Sequence, residues 1–331
     1  MKLLDGFSVI ICCYNSEKRL PNTLAHLAKQ TFSGEWELII VDNNCTDNTV
    51  TVAQNEWKKY NHRVALRIIS ETQPGLSHAR RAGILNAKYK YAIFCDDDNW
   101  LNENYLKIAY EIMESHPDVG LLGGQSKEVC EIEPPEWFDK VKHNYAIGKQ
   151  ADKSGYLKNR LILWGAGLVI RTHILANIYR NNINHLLEDR KGKKLSSGGD
   201  SEISFWFNFA NYRLFYEEML FFYHFIPAER LKYDYYISLI KEFEQANKII
   251  YPYRSVIVIS KYGLFRRVFV LFKISTKLLL SIFYPINKTL KEKYVNDLMC
   301  ILPFIRSKVI KKILKQKNKI FLISNSHAKI S

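Results

Sequence analysis

The sequence predicts an α/β domain, a mostly parallel sheet flanked by helices, followed by a basic helical extension. Three observations predict it. Short apolar, β-rich runs alternate with polar turns and helix-period segments over the first third of the chain. Acidic and polar clusters fall at the ends of those runs, where a parallel sheet gathers its ligand groups. The charge is also lopsided: of the net +15 carried by 331 residues, all of it lies after residue 230, where 20 Lys+Arg face only 5 Asp+Glu.

The elements follow in order. Residues 7–13 form a first strand ending at Tyr14 and Asn15, and a helix-period segment runs from about Arg19 to Gln30. Residues 36–41 form a second strand that stops at Asp42, with a helix after Asp47. A third strand is expected at 67–69, a helix near 78–87, and a strand at 91–95 that runs straight into Asp96. Between about 120 and 165 the pattern loosens into strands and loops, with Gly123, Gly124, Pro134 and Pro135 as breakers. Residues 164–170 read as a strand entered through Gly165 and Gly167, then a helix near 173–180. Residues 187–200 read as a mobile loop, and 205–209 with 214–225 complete the apolar core.

A 47% hydrophobic content is that of a globular chain, so disorder is excluded as the default. The six cysteines (Cys12, Cys13, Cys45, Cys95, Cys130, Cys300) form no CxxC pair and sit mostly in apolar runs, which predicts buried, reduced thiols and a cytosolic compartment. Residues 1–15 lack the n-region, apolar stretch and cleavage site of a signal peptide, so the protein is expected to stay inside the cell. Beyond residue 231, apolar segments at 255–260 and 268–286 alternate with Arg266, Arg267, Lys273, Lys277 and the basic run 311–319. Charges interrupt every stretch long enough to span a bilayer, and a helix lying at an anionic membrane interface fits this texture. A cationic subdomain packed on the core is the alternative. Nucleic acid is not an expected partner, because no nucleic-acid-binding motif surrounds the charge.

Asp96, Asp97 and Asp98 stand consecutively after a buried strand. Like charges so close cannot all stay ionised without a cation, and Asp oxygens suit Mn²⁺ or Mg²⁺; a solvated acidic turn is the bland alternative. Six segments in order settle the choice: SVIICCYN at 8–15, VDNNCTD at 41–47, GLSHAR at 75–80, FCDDD at 94–98, GGDSE at 198–202 and HFIPAER at 224–230. Over roughly residues 6–230 the chain resembles the family-2 glycosyltransferases of the GT-A fold. The resemblance implies a catalytic domain over 1–230, with a nucleotide-sugar half to about 120 and an acceptor half from about 121; the change in charge and texture sets off a basic amphipathic region over 231–331. It implies an inverting enzyme that moves a sugar from a nucleotide-diphosphate donor, a UDP-sugar, to a hydroxyl of a glycan or glycolipid, as in bacterial surface polysaccharide synthesis; the basic tail adds the expectation of work at the inner face of the cell membrane.

The resemblance also assigns residues. Cys13, Tyr14, Asn15, Asp42, Arg80, Asp96, Asp97 and Arg230 fall on the donor side, with the Asp97 side chain expected to point away from the metal. Asp98, Asp96 and His224 would hold a divalent metal. Asp200 is the expected general base, since inversion needs one carboxylate to take the acceptor's proton. The family motif often has Glu before this Asp, whereas Gly199 stands here, so Glu202 remains a rival for the base. Trp164 and Gly165 are the candidate acceptor residues. A silent sugar-nucleotide-binding protein on the same fold is the rival function. A dinucleotide oxidoreductase is disfavoured because no GxGxxG follows the first strand, and a metal-dependent phosphohydrolase would cleave donor without regard to acceptor.

Overall fold

The computed structural model describes residues 3–60, 64–158, 160–187, 189–190, 195–281, 286–302 and 307–327. The chain runs β1 (Leu4–Cys13), α1 (Leu20–Leu27), β2 (Trp36–Asp42), α2 (Thr49–Lys59), β3 (Leu66–Ser70), α3 (Leu76–Asn86), β4 (Tyr89–Phe94), β5 (Asn99–Leu101), α4 (Tyr105–Ser115) and β6 (Val119–Cys130). It continues through α5 (Phe138–Val141), β7 (Gly155–Tyr156), β8 (Leu168–Arg171), α6 (Thr172–Arg180), α7 (Gly199–Phe209) and β9 (Arg213–Ile226). Four helices close it: α8 (Tyr233–Ser260), α9 (Leu264–Leu280), α10 (Lys288–Ile301) and α11 (Lys308–His327).

One sheet has the order β3-β2-β1-β4-β8-β6-β9-β5, with β7 pairing β9. The pairs β3/β2, β2/β1 and β1/β4 are parallel, whereas β8 runs antiparallel to both β4 and β6. β1 is apolar throughout because helices cover both its faces: Ile10 packs toward α3, α6, α7 and α8, while Val9 and Ile11 pack toward α1, α2 and α4. β1 leads into α1 beside β2 on one side and has β4 on the other. The strand order therefore reverses at β1, and the crevice beyond the carboxyl ends of β1, β2 and β4 is where an open α/β sheet binds ligand.

Three sequence expectations change here. Helix α4 occupies residues the pattern left unassigned. The run 205–209 is the body of α7, which begins at Gly199, inside the segment expected to be loop; residues 188 and 191–194 of that segment lie outside the described residues. Packing does not break at 231 either. Ala246, Ile250, Tyr253, Val256, Ile257 and Ile259 of α8 share the main core with α6 and α7, and Ile310, Ile313 and Ile320 of α11 join it. All six cysteines are free thiols. No helix among the described residues is long and apolar enough to cross a membrane; residues 282–285 of the apolar stretch 268–286 lie outside the description.

Candidate active site

A cavity of about 1020 Å³ opens over the carboxyl ends of β1 and β4 and is roofed by α8. Cys12, Cys13 and Tyr14 line it from β1, Asp96, Asp97 and Asp98 from the turn after β4, and Trp164, Gly165 and Asp200 from the far side.

The three consecutive aspartates do three different things. Asp97 turns toward α1: its carboxylate accepts from Arg19 Nε at 3.2 Å and Nη2 at 2.6 Å and from the Ser16 hydroxyl, and its carbonyl accepts from Thr23 Oγ1 at 2.8 Å. This aspartate fixes the turn and is already neutralised. Asp98 is buried and meets Arg230 Nη1 at 3.0 Å and His224 Nε2 at 3.5 Å. Burial alone would raise its pKa, but Arg230 and then His224 outweigh that and hold the carboxyl well below the usual range. Asp96 has Arg80 Nη2 at 3.8 Å and the most exposed side chain of those in the site's ion pairs, at 35%. Its pKa is raised, first by burial, with Arg80 opposing.

No three His, Cys, Asp or Glu side chains converge as a metal cage among the described residues. Of the expected ligands Asp96, Asp98 and His224, Asp98 and His224 form the close pair at 3.5 Å, while Asp96 has Arg80 at 3.8 Å. Two protein ligands completed by substrate phosphate oxygens still suit Mg²⁺ or Mn²⁺. His224 Nδ1 is buried and has no hydrogen-bond partner among the described residues, so the ring's polar contact is the one its Nε2 makes with Asp98.

Arg80 is buried on α3 beneath the cavity floor, over the Phe94 ring at 5.0 Å. Between Asp96 at 3.8 Å and Asp189 at 3.6 Å, it is flanked by carboxylates. Asp189 was not foreseen from sequence. Its carboxylate is buried, its Oδ2 lacks a hydrogen-bond partner, and it fills the space a side chain on Gly199 would need: a Cβ there would sit 2.3 Å from Oδ2. The carboxylate missing from the motif before Asp200 is thus replaced in space by one from a different segment.

Asp200 lies in the first turn of α7, started by Gly198 at φ +119, a left-handed conformation suited to glycine. Its Oδ2 accepts from Gly165 N at 2.9 Å and its Oδ1 from Ser201 N at 2.7 Å, and it remains partly exposed to the cavity. Glu202 is elsewhere. Two residues along a helix turn a side chain through about 200°, and Glu202 is fully buried. It accepts from Leu186 N at 2.9 Å, Leu187 N at 2.9 Å and Tyr253 Oη at 2.7 Å. It cannot reach an acceptor, so the rival base and acceptor assignment of Glu202 is overturned.

On the donor side, Asp42 Oδ1 accepts from Cys45 N at 2.9 Å and shapes the turn after β2, while its neighbour Asn43 lines the cavity. Asn43 holds the approach to α3, donating to Glu71 O and Gln73 O and accepting from Gly75 N, each at 2.8 Å. Asn15, at φ 51, accepts from Thr46 N at 2.8 Å and ties the β1 and β2 turns together. Tyr14 is half exposed at the rim, as a ring that stacks on a base would be.

Comparison with known proteins decides the lineage. A model described as glycosyl transferase family 2 matches residues 8–178. The chain belongs to glycosyl transferase family 2. The glycosyltransferase GlyA of Streptococcus pneumoniae is 26% identical over 192 residues, 56% of this chain and 27% of that protein. The poly(ribitol-phosphate) beta-N-acetylglucosaminyltransferase TarS of Staphylococcus aureus is 35% identical over 118 residues, 35% of this chain and 20% of that protein. This family-2 chain thus spans well under a third of the length of these curated relatives. The crystal structure of S. aureus TarS 1–349 in complex with UDP matches with a TM-score of 0.51 at 19% identity, covering 98% of this chain and 92% of that one. That likeness concerns the fold, and it bears out the GT-A-type expectation.

Proposed function

We propose that this chain transfers one sugar, with inversion, from a UDP-sugar to a hydroxyl of a glycan or lipid-linked glycan in the synthesis of a bacterial surface polysaccharide. The observation that carries the reading is the placement of Asp200. Its carboxylate is fixed by the Gly165 amide and partly open to the cavity, in the wall facing the Asp96 to Asp98 turn, with Arg80 between the two. An Asp200 oxygen takes the proton of the acceptor hydroxyl as that oxygen bonds to the anomeric carbon. The bond from that carbon to the diphosphate oxygen breaks, and the electron pair leaves with UDP. Arg230, His224 and Arg80 face the side where that negative charge gathers. Asp98 and His224, with donor phosphates, would hold Mn²⁺ or Mg²⁺, which supplies further charge neutralisation to the leaving diphosphate. UDP as the donor nucleotide is supported by the solved TarS complexes with UDP and with UDP-GlcNAc.

The test has two readouts. Thermal shift with UDP-, GDP-, dTDP- and CMP-sugars, with and without Mn²⁺, reads donor binding. UDP release by wild type and Asp200→Asn reads chemistry, with an expected fall of about 10² to 10⁴-fold for the variant while its donor-induced shift is kept. Stabilisation by donor with equal release from both proteins would make the chain a sugar-nucleotide-binding protein instead, and no shift from any donor removes the reading.

Helix α9 supports work at a membrane surface. Phe265 (92% exposed), Phe272 (73%), Phe269 (66%), Leu279 (65%) and Val268 (57%) all face solvent. At about 100° per residue they share one arc of about 100°, opposite the buried Ile274 and flanked by Arg266, Lys273 and Lys277. Anionic liposomes should pull down the full chain and release a Phe265→Ser, Phe269→Ser, Phe272→Ser triple variant; equal sedimentation removes the idea. Truncation at 231 is the wrong control, since it deletes the α8 residues that roof the cavity.

A further inference from the structure

Several of the arginines that line the cavity are neutralised by carboxylates. Arg19 pairs with Asp97, Arg230 with Asp98, and Arg80 with Asp96 and Asp189. At the Asp200 end the pattern changes. Arg160 and Arg254 both line the cavity, and neither forms an ion pair with any carboxylate among the described residues.

Arg160 is anchored by neutral groups alone. Its Nε donates to Ile162 O at 2.9 Å, its Nη1 to Gln150 O at 3.0 Å and its Nη2 to Gln150 Oε1 at 3.4 Å, and its guanidinium lies over the Trp164 ring at 5.4 Å. The same Gln150 Oε1 accepts from Trp164 N at 2.8 Å, and the next amide, Gly165 N, holds Asp200. Arg160 is thereby fixed a few residues from the base along one continuous strip of wall. Arg254 lines the same cavity from α8 and has no hydrogen-bond or ion-pair partner among the described residues. Both guanidiniums belong to one cavity wall, Arg160 half-buried and Arg254 exposed; burial first and Arg254 second push the Arg160 pKa down, and Asp200 opposes them. A pair of like charges, one of them half-buried, costs stability unless an anion joins it. A planar fork on each side chain suits a phosphate or carboxylate.

We propose that Arg160 and Arg254 form an anion subsite for the acceptor, so that the substrate is an anionic glycan carrying a phosphate or carboxylate beside the hydroxyl offered to Asp200. The proposal rests on the glycosyl-transfer reading above and adds the chemical class of the acceptor. Trp164 packs the sugar or polyol chain between the charged group and the reacting hydroxyl. The donor's diphosphate does not serve this pair, because its cations are at the Asp98 end.

Arginine side-chain NMR on the full chain tests it, with Nε resonances assigned through Arg160→Gln and Arg254→Gln. UDP with diamagnetic Mg²⁺ is added to saturation first, and shifts at Arg230, assigned through Arg230→Gln, report donor binding; their absence would sink the donor reading and leave the subsite to be titrated without UDP. Inorganic phosphate is then titrated, followed in separate samples by methyl glucuronide and neutral methyl glucoside. The expected result is that phosphate or the glucuronide moves Arg160 and Arg254 together, at least about ten-fold more tightly than it moves the exposed Arg266, as two charge-assisted forks predict. Arg254→Gln should weaken that binding at Arg160 about five-fold or more, the loss of one charge-assisted partner. Response to phosphate alone identifies a phosphorylated acceptor, and response to the glucuronide an acidic sugar. Affinity no better than at Arg266, or equal shifts from the neutral glucoside, overturns the proposal.

Discussion

Gly165→Ala tests whether Arg80 works in the site or merely braces it. A Cβ on residue 165 would sit 2.6 Å from Arg80 Nη2, 3.1 Å from Cζ and 3.2 Å from Nη1. Ordinary contact begins near 3.4 Å, so the guanidinium must retreat by about 0.8 Å, the difference between 3.4 and 2.6 Å. Gly165 is not in the left-handed region, so the backbone itself accepts alanine. Retreat is restricted because Arg80 is buried over Phe94 and flanked by Asp96 and Asp189. Overpacking of this kind costs about 1 to 2 kcal/mol. A displacement approaching 1 Å in a charge that faces the leaving group lowers turnover by about 10 to 100-fold. Gly83→Ala is the matched control, since its Cβ would meet Ile10 Cγ2 at 2.4 Å in the core, away from the cavity. Urea midpoints and UDP release per folded molecule are measured for both. Equal activity in the two variants would refute a functional role for Arg80, whatever their stabilities.

Other outcomes follow from the same geometry. Arg230→Met leaves buried Asp98 with His224 and the Asn99 amide, and should cost about 2 to 3 kcal/mol in urea unfolding, less than a fully orphaned buried charge because those two remain; an unchanged midpoint would contradict the pairing. The Asp98 pKa is depressed, so its contribution to stability is complete above the unfolded value and is lost as pH falls through the folded one. In EDTA, the stability gap between wild type and Asp98→Asn should therefore shrink as pH is lowered from about 5 toward 3. Asp96 and Asp189 have raised values and act with the opposite sign, stabilising most when protonated and losing that as pH rises through their folded values; a gap for Asp189→Asn that also shrank on acidification would count against its assigned environment. Glu202→Gln should lower stability by about 2 kcal/mol, as loss of charged hydrogen bonds does, while UDP release per folded molecule stays unchanged; a loss of turnover with full stability would restore it as a candidate base.

Much of this site was legible because strand ends and short polar turns are local features. The runs into Tyr14, Asp42 and Asp96 are apolar strands cut off by polar residues, and the sheet places their ends side by side. Which of two adjacent polar residues faces the cavity was not legible. Asp42 and Asn43 both follow β2, and only the turn geometry shows that Asn43 lines the cavity while Asp42 binds its own turn. Glu202 stands as a rival in the sequence because 187–200 reads as loop, and nothing there separates Asp200 from the carboxylate two residues on; the helix that starts at Gly199 turns the two to opposite sides. Asp189 carries no local signal at all. Its partner, Arg80, is more than a hundred residues earlier, and only the fold brings the two to 3.6 Å.

The C-terminal region looked separable because its charge and texture change at 231, yet the contacts of α8 make it part of the site. Tyr253 Oη donates to Glu202 at 2.7 Å, and Glu202 holds the amides of Leu186 and Leu187. That segment leads to Asp189, whose carboxylate pairs with Arg80, and one helical turn earlier in α8 Ile250 and Asn247 line the cavity. Buried hydrogen bonds thus tie α8 to α7, the helix that carries Asp200. The next helix, α9, carries the exposed phenylalanines. Charge excess and the candidate site therefore belong to one continuous body: the helix that lines the cavity, α8, runs directly into the one that carries the exposed apolar face.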